Sequence, residues 1–136
     1  MIKQLAHVCI HATDLTETSR FYCDALGLEK SFEFVSDGRI CGFYLKLGGG
    51  TFIEFFQGES STSGNMQHLA LETDEMDDLI RRIKAHGFEV GEKTLGADNT
   101  WQAWVHDPDG VKIELQQYTD DSLQFLGGTC DLSQRS

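Results

Sequence analysis

Four residues of types that bind metal ions occupy matched positions in two parts of the chain. His7 in LAHVCI is followed 61 residues later by His68 in MQHLAL, and Glu54 in GTFIEFFQ is followed 60 residues later by Glu114 in GVKIELQQ. Two pairs with nearly the same offset indicate an internal duplication. Two imidazoles and two carboxylates suit one divalent ion per site (Ni²⁺, Zn²⁺, Co²⁺, Mn²⁺ or Fe²⁺) and leave positions open for substrate oxygens.

The four candidate ligands are predicted to share one kind of strand face. Successive side chains of a strand point to opposite faces. Apolar neighbours therefore lie opposite each candidate ligand: Val8 and Ile10, Leu69 and Leu71, Ile53 and Phe55, Ile113 and Leu115. A sheet that packs this apolar face on helices and curves away from them would gather the four ligands into a cleft.

Hydrophobic periodicity predicts the same element order in both halves. The first half reads as a strand at Leu5–Ile10, a helix from Asp14 to Gly27, and strands at Lys30–Ser36, Ile40–Leu47 and Thr51–Gln57. The second reads as a strand at Gln67–Thr73, a helix at Asp74–His86 ended by Gly87, and strands at Glu89–Leu95, Thr100–His106 and Val111–Tyr118. The slip from 61 to 60 residues is expected inside the helix region.

The predicted fold class is α+β, with two tandem βαβββ modules that form a curved mixed sheet around a metal cleft. Residues 1–118 are expected to form a single domain made of two repeats, at about 3–57 and 66–118. The Ser/Gly-rich segment Gly58–Asn65 is interpreted as a linker. The polar tail at 119–136 has no predicted place.

Composition and charge disfavour some classes of binding partner. A formal net charge of −11 disfavours a nucleic-acid partner, because lysine and arginine supply affinity for the phosphate backbone. The sequence contains no run of 18 apolar residues and starts without the apolar core of a signal peptide, which predicts a cytoplasmic protein with no membrane partner. The four cysteines have no CxxC spacing and are interpreted as reduced core residues.

These pieces resemble the vicinal-oxygen-chelate superfamily, also described as the glyoxalase/bleomycin resistance/dioxygenase family. The resemblance covers roughly residues 3 to 118 and rests on HVCIHATDL, FYCDALGL, FIEFF, HLALETDEMDDL and DPDGVKIEL. The order His, Glu, His, Glu is similar to the ligand set of glyoxalase I, which implies that His7, Glu54, His68 and Glu114 bind the metal. In the dioxygenases and fosfomycin enzymes of this superfamily, the metal has three protein ligands, two histidines and one glutamate. The epimerases usually carry glutamine where this chain has Glu54.

The resemblance implies a glyoxalase I-like lyase or isomerase that acts on a small, possibly thiol-conjugated carbonyl compound through an enediolate. Glu114 is the expected base and Glu54 its symmetric partner. Two alternatives stay open: an epimerase of a sugar-like or acyl-thioester substrate, and a small-molecule binding protein of the same fold.

Two further residues are candidates for substrate contact, and the assembly can be anticipated. Bacterial glyoxalase I usually has an arginine for glutathione four residues after its first ligand, where this chain has His11, so glutathione is not implied. His11 shares a strand face with His7. Trp101 shares the Glu114 face if Asp107–Gly110 makes a simple two-residue hairpin, whereas a bulge would place Trp104 there instead. Family resemblance also implies a homodimer, with ligands drawn from one chain or from two.

Overall fold

The computed structural model describes residues 1, 4–59 and 66–132, which fall into two compact units at residues 1–64 and 65–136. Each unit contains a four-stranded mixed sheet with a helical segment between its first and second strands. This confirms the predicted α+β fold of two βαβββ modules. Most of the predicted linker, at 60–65, and the end of the tail, at 133–136, lie outside the described residues.

The first unit follows the predicted order of elements. Its strands and helix are β1 (His7–Ala12), α1 (Leu15–Ser19), β2 (Glu29–Ser36), β3 (Arg39–Lys46) and β4 (Phe52–Gln57). The strand order in the sheet is β1-β4-β3-β2, with β1 parallel to β4 and the other pairs antiparallel. Asp14 caps α1 by accepting hydrogen bonds from the backbone N–H groups of Thr16 and Glu17, as expected for an N-cap aspartate.

The second unit repeats this arrangement. Its elements are β5 (Leu69–Glu72), α2 (Met76–Ala85), β6 (Thr94–Leu95), β7 (Trp101–His106), β8 (Lys112–Gln117) and a short added helix α3 (Leu123–Leu126). The strand order is β5-β8-β7-β6, with β5 parallel to β8. Each strand of the first sheet therefore has a counterpart at the same place in the second.

The helices cover the apolar face of each sheet, which leaves the other face for the candidate ligands. In the first unit, Ile53 and Phe55 of β4 are fully buried, and the ring of Phe55 lies 4.7 Å from that of Tyr22. In the second unit, Ile113 and Leu115 of β8 are buried, and strand alternation places Glu114 on the opposite side of the strand.

The helix of the first unit contains a widened turn that the sequence did not reveal. After α1 the chain continues as a π-helix at Arg20–Ala25, where the Leu26 N–H donates to the Phe21 carbonyl five residues earlier. Leu15 and Met76 begin the two helices 61 residues apart, whereas Ala25 and Ala85 end them 60 residues apart. The π turn therefore contains the one extra residue, which explains the slip between the two offsets.

Two segments of the second unit depart from the sequence prediction: the strand expected at Glu89–Leu95 and the tail that had no predicted place. The strand predicted at Glu89–Leu95 is wrong for most of its length, since only Thr94 and Leu95 pair with β7. Before them, Gly91 makes a single backbone hydrogen bond to Trp104, and an edge segment with few apolar residues gains little from longer pairing. The unplaced tail begins by packing on this unit, because buried Ser122 accepts a hydrogen bond from Thr100.

The described residues contain no helix long and apolar enough to cross a membrane. All four cysteines are free, but the interpretation of them as core residues is wrong: Cys9 and Cys130 are exposed, and Cys23 and Cys41 are half-buried. Strand alternation accounts for Cys9, which lies on the same face of β1 as His7.

Candidate metal centre

In the first unit, His7 and Glu54 come together because β1 runs parallel to β4. The strand register places Cys9 directly beside Glu54, and His7 precedes Cys9 by two residues on the same face. The Nε2 atom of His7 lies 4.0 Å from a carboxylate oxygen of Glu54. The Glu54 side chain is only 16% exposed, whereas that of His7 is 40% exposed. Glu54 thus lies within β4 with little exposure, and the more exposed imidazole of His7 approaches it from the first residue of β1.

In the second unit, His68 and Glu114 form an equivalent pair. Ala70 lies beside Glu114 in the parallel pairing of β5 and β8, and His68 precedes Ala70 by two residues. The Nε2 atom of His68 lies 3.6 Å from a Glu114 oxygen, and the Glu114 side chain is 12% exposed. In both units, therefore, the residue two positions after the histidine pairs with the glutamate of the parallel strand.

The donor atoms in each pair lie about as far apart as two ligands of one ion, or slightly farther. At metal–ligand distances of about 2.0–2.2 Å and angles of roughly 90–110°, two donors on the same ion lie about 2.8–3.6 Å apart. The separation of 3.6 Å in the second unit is at the upper end of this range, and that of 4.0 Å in the first unit is beyond it. Within residues 1, 4–59 and 66–132, no group of three or more His, Cys, Asp or Glu side chains could hold a metal ion. Each unit thus presents one histidine and one glutamate as candidate donors.

An aromatic residue lies against the histidine in each unit. Trp104 was expected on this face only if a bulge exchanged the two tryptophans, and Tyr44 was not anticipated. Tyr44 pairs across the strands with Glu54, and Trp104 pairs with Glu114. The Tyr44 ring lies 5.5 Å from the His7 ring, and the Trp104 ring lies 4.9 Å from that of His68. The 60-residue offset that relates the two glutamates also relates Tyr44 to Trp104, so the duplication could have identified them.

The Nδ1 atom of each histidine has a polar neighbour. The Tyr44 hydroxyl lies 3.3 Å from Nδ1 of His7, and the side-chain oxygen of Gln67 accepts from Nδ1 of His68 when that nitrogen is protonated. A protonated Nδ1 would donate to these oxygens and leave Nε2, which faces the glutamate, free to bind a metal ion.

The premise that placed Trp101 beside Glu114 is wrong. The register of β7 and β8 pairs Trp104 with Glu114 and Trp101 with Gln117, so Trp101 lies on the opposite face. The connection is five residues long, since the last strand pair is His106 with Lys112. Gly110 has φ = +86°, a left-handed conformation that adds one residue to the turn and exchanges the two tryptophans.

Two other side chains of β1, those of Cys9 and His11, share the face of His7. Cys9 and Tyr44 are both hydrogen-bonded to Glu54. Burial raises the pKa of the Cys9 thiol, and the hydrogen bond to Glu54 and its negative charge raise it further. Desolvation, followed by the hydrogen bond and charge of Glu54, also raises the pKa of the Tyr44 hydroxyl. Both groups are therefore protonated donors at neutral pH. His11 is exposed on the same face, beside Phe56.

The fold and the duplicated pairs define a class of protein that comparison with known sequences identifies. Residues 4–115 match the Glyoxalase/Bleomycin resistance protein/Dioxygenase superfamily, and the chain belongs to it. A curated relative, described as uncharacterized protein YaeR of Escherichia coli (strain K12), is 28% identical in a 127-residue alignment that covers 85% of this chain and 97% of the relative.

Solved structures of the same fold include two with named activities. FosX, the genomically encoded fosfomycin resistance protein of Listeria monocytogenes, was solved as a mutant with Mn(II) and dihydroxypropylphosphonic acid. It is 23% identical, with a TM-score of 0.70 over 88% of this chain and 94% of FosX. Lactoylglutathione lyase of Agrobacterium tumefaciens is 20% identical, with a TM-score of 0.65 over 85% of this chain and 94% of the lyase. At these identities the likeness establishes the fold alone.

Proposed function

We propose that this protein is a metal-dependent lyase or isomerase that moves a proton between neighbouring carbons of a small carbonyl compound. The observation that carries the proposal is the repeated histidine–glutamate pair, which has the same strand register and an aromatic neighbour in both units. Membership of a superfamily whose solved members include a lyase and an Mn(II) complex supports this choice.

The proposed complete site combines one His7–Glu54 pair with one His68–Glu114 pair. The two pairs come from a single chain or from two chains. His7, Glu54, His68 and Glu114 would then hold one divalent ion, and two carboxylates would neutralise its charge. Each pair alone supplies only two donors, whereas stable sites for such ions use at least three protein ligands. The bound ion would supply electrophilic polarisation of adjacent substrate oxygens.

Glu114 is the proposed base because its surroundings compete least for its oxygens. Its cross-strand and parallel neighbours, Trp104 and Ala70, make no hydrogen bond to it among the described residues. Glu54, by contrast, is hydrogen-bonded to Cys9 and Tyr44 and would have to give up those bonds to take up a proton. We therefore assign proton removal and return to Glu114 and a mainly ligating role to Glu54.

The deciding experiment follows exchange of the carbon-bound proton in heavy water by NMR. Metal-loaded protein is mixed with methylglyoxal and several thiols in turn. Glu114→Gln is expected to slow exchange by about 10²- to 10⁴-fold, the usual contribution of one general base, and Glu54→Gln by less where metal is retained. Glu89→Gln, an exposed glutamate on neither pair, is the matched control. Exchange by Glu114→Gln at the wild-type rate would refute this assignment, and absence of exchange across the panel would favour a binding protein.

A further inference from the structure

The ligand-bearing face of the first sheet is covered by aromatic side chains. Cross-strand register places five of them on the face of Glu54, and we call them the aromatic wall: Phe32, Phe34, Tyr44, Phe52 and Phe56. On its own strand, Glu54 lies between Phe52 and Phe56, and Tyr44 lies opposite it. The carboxylate of the candidate metal centre thus has an aromatic neighbour on three sides.

The rings of the wall form two stacks. Phe32 stacks on Tyr44 with ring centroids 4.6 Å apart and an interplanar angle of 17°, and Phe34 stacks on Phe56 at 4.6 Å and 30°. Phe32 is nevertheless 48% exposed, and the other four rings are half-buried. The stacks leave ring surface open next to the carboxylate, and such exposed apolar surface marks a binding site more often than it serves the fold.

The second unit shows that the fold does not require these rings. Register equates Thr94 with Phe34, because Thr94 pairs with Gln102 as Phe34 pairs with Gly42. Glu114 is flanked on its strand by Lys112 and Gln116, where Glu54 has Phe52 and Phe56. Among these described positions, only Trp104 retains an aromatic ring. The same sheet therefore forms with a polar ligand face, so the wall serves a purpose beyond sheet stability.

We propose that the aromatic wall binds a planar aromatic group of the substrate, whose vicinal oxygens lie at the His7–Glu54 pair. This inference rests on the proposed function and specifies its substrate class as an aryl carbonyl compound. The wall offers flat apolar ring surface on three sides of Glu54. Offset stacking on Phe32 and Tyr44 would orient the ring while the oxygens remain beside the carboxylate.

The test compares hydroxamates that share one pair of chelating oxygens and differ in the attached group. Binding of acetohydroxamate, cyclohexanecarbohydroxamate and benzohydroxamate to metal-loaded full-length protein is measured by calorimetry. We expect benzohydroxamate to bind at least tenfold more tightly than acetohydroxamate, and more tightly than the cyclohexyl compound. Phe32→Ala should reduce the phenyl preference to within about threefold, with Phe32→Leu intermediate. Phe125→Ala, which removes a 68% exposed ring from the second unit, should leave the preference unchanged.

Each other result overturns the inference in a recognisable way. Equal affinity for all three hydroxamates would overturn the aromatic wall as a substrate surface and leave the metal centre intact. Failure of all three to bind, together with failure to retain metal, would overturn the proposed function and this inference with it. A phenyl preference that survives in Phe32→Ala, combined with a change of oligomeric mass in that variant, would assign the wall to contact with a second copy of the chain.

Discussion

Tyr44 and Trp104 occupy equivalent positions in the two units, each directly across the strands from its glutamate. Each ring also lies beside the histidine of its own pair. The duplicated unit is therefore a set of three residues (histidine, aromatic residue and glutamate) rather than a histidine–glutamate pair alone. The aromatic member is a phenol in the first unit and an indole in the second.

Removal of one imidazole should empty the metal site. Purified protein is expected to carry close to one divalent ion per chain, and His68→Ala should lose most of it because an imidazole that binds the ion is replaced by open space. His86→Ala is the control, since His86 lies at the end of α2. Elemental analysis measures the metal content, and full occupancy in His68→Ala would exclude the proposed ligand set.

Trp104 should report metal binding by its fluorescence. Because its ring lies 4.9 Å from that of His68, a paramagnetic ion such as Ni²⁺ is expected to quench it. Trp101 lies on the opposite face of β7 and should be quenched less. Titration of Trp101→Phe and Trp104→Phe with Ni²⁺ isolates each ring, and equal quenching in the two variants would contradict the observed register.

A methyl group at Gly42 should destabilise the first unit. A Cβ atom there would lie 2.3 Å from the carbonyl oxygen of Phe55 and 2.9 Å from the Phe56 ring, so the backbone must shift. Overpacking of this kind costs about 1–3 kcal/mol. Gly48→Ala is the control, because nothing lies within 4 Å of its Cβ position. Urea denaturation of both variants gives the difference, and equal midpoints would refute the predicted clash.

Assembly should depend on the metal if two chains share each site. We expect a homodimer, and light scattering with and without chelator measures its mass. Loss of mass on chelation would indicate ligands from both chains, because the ion then joins two acidic chains of net charge −11 each. A dimer that persists without metal would indicate ligands from one chain, and a monomer in the presence of metal would contradict the predicted assembly.

Much of the fold was predictable from sequence because alternation and helical period are local signals. The order of elements in both units and the N-cap at Asp14 followed from them. The exchange of Trp101 for Trp104 was not predictable, since one residue in the left-handed conformation at Gly110 decides it. A turn sequence such as DPDG fits connections of either length, and the choice depends on how the flanking strands pair.

The candidate site was predictable where the duplication constrained it. The shared offset identified all four candidate ligands, and applied to neighbouring strands it would also have indicated Tyr44 and Trp104. The hydrogen bonds that Cys9 and Tyr44 make to Glu54 depend on side-chain geometry across three strands, which no local pattern encodes. How the pairs combine depends on long-range packing, for which the sequence left both one-chain and two-chain arrangements open.

The π turn at Arg20–Ala25 has a consequence for how the two copies diverged. A helix can absorb an added residue as a wider turn, so that neither the strand before it nor the strands after it change register. The extra residue at this point makes one copy longer without moving His7 relative to Glu54. The helical layer thus accommodates a difference in length between the copies, while the strands that carry the candidate ligands keep the same register.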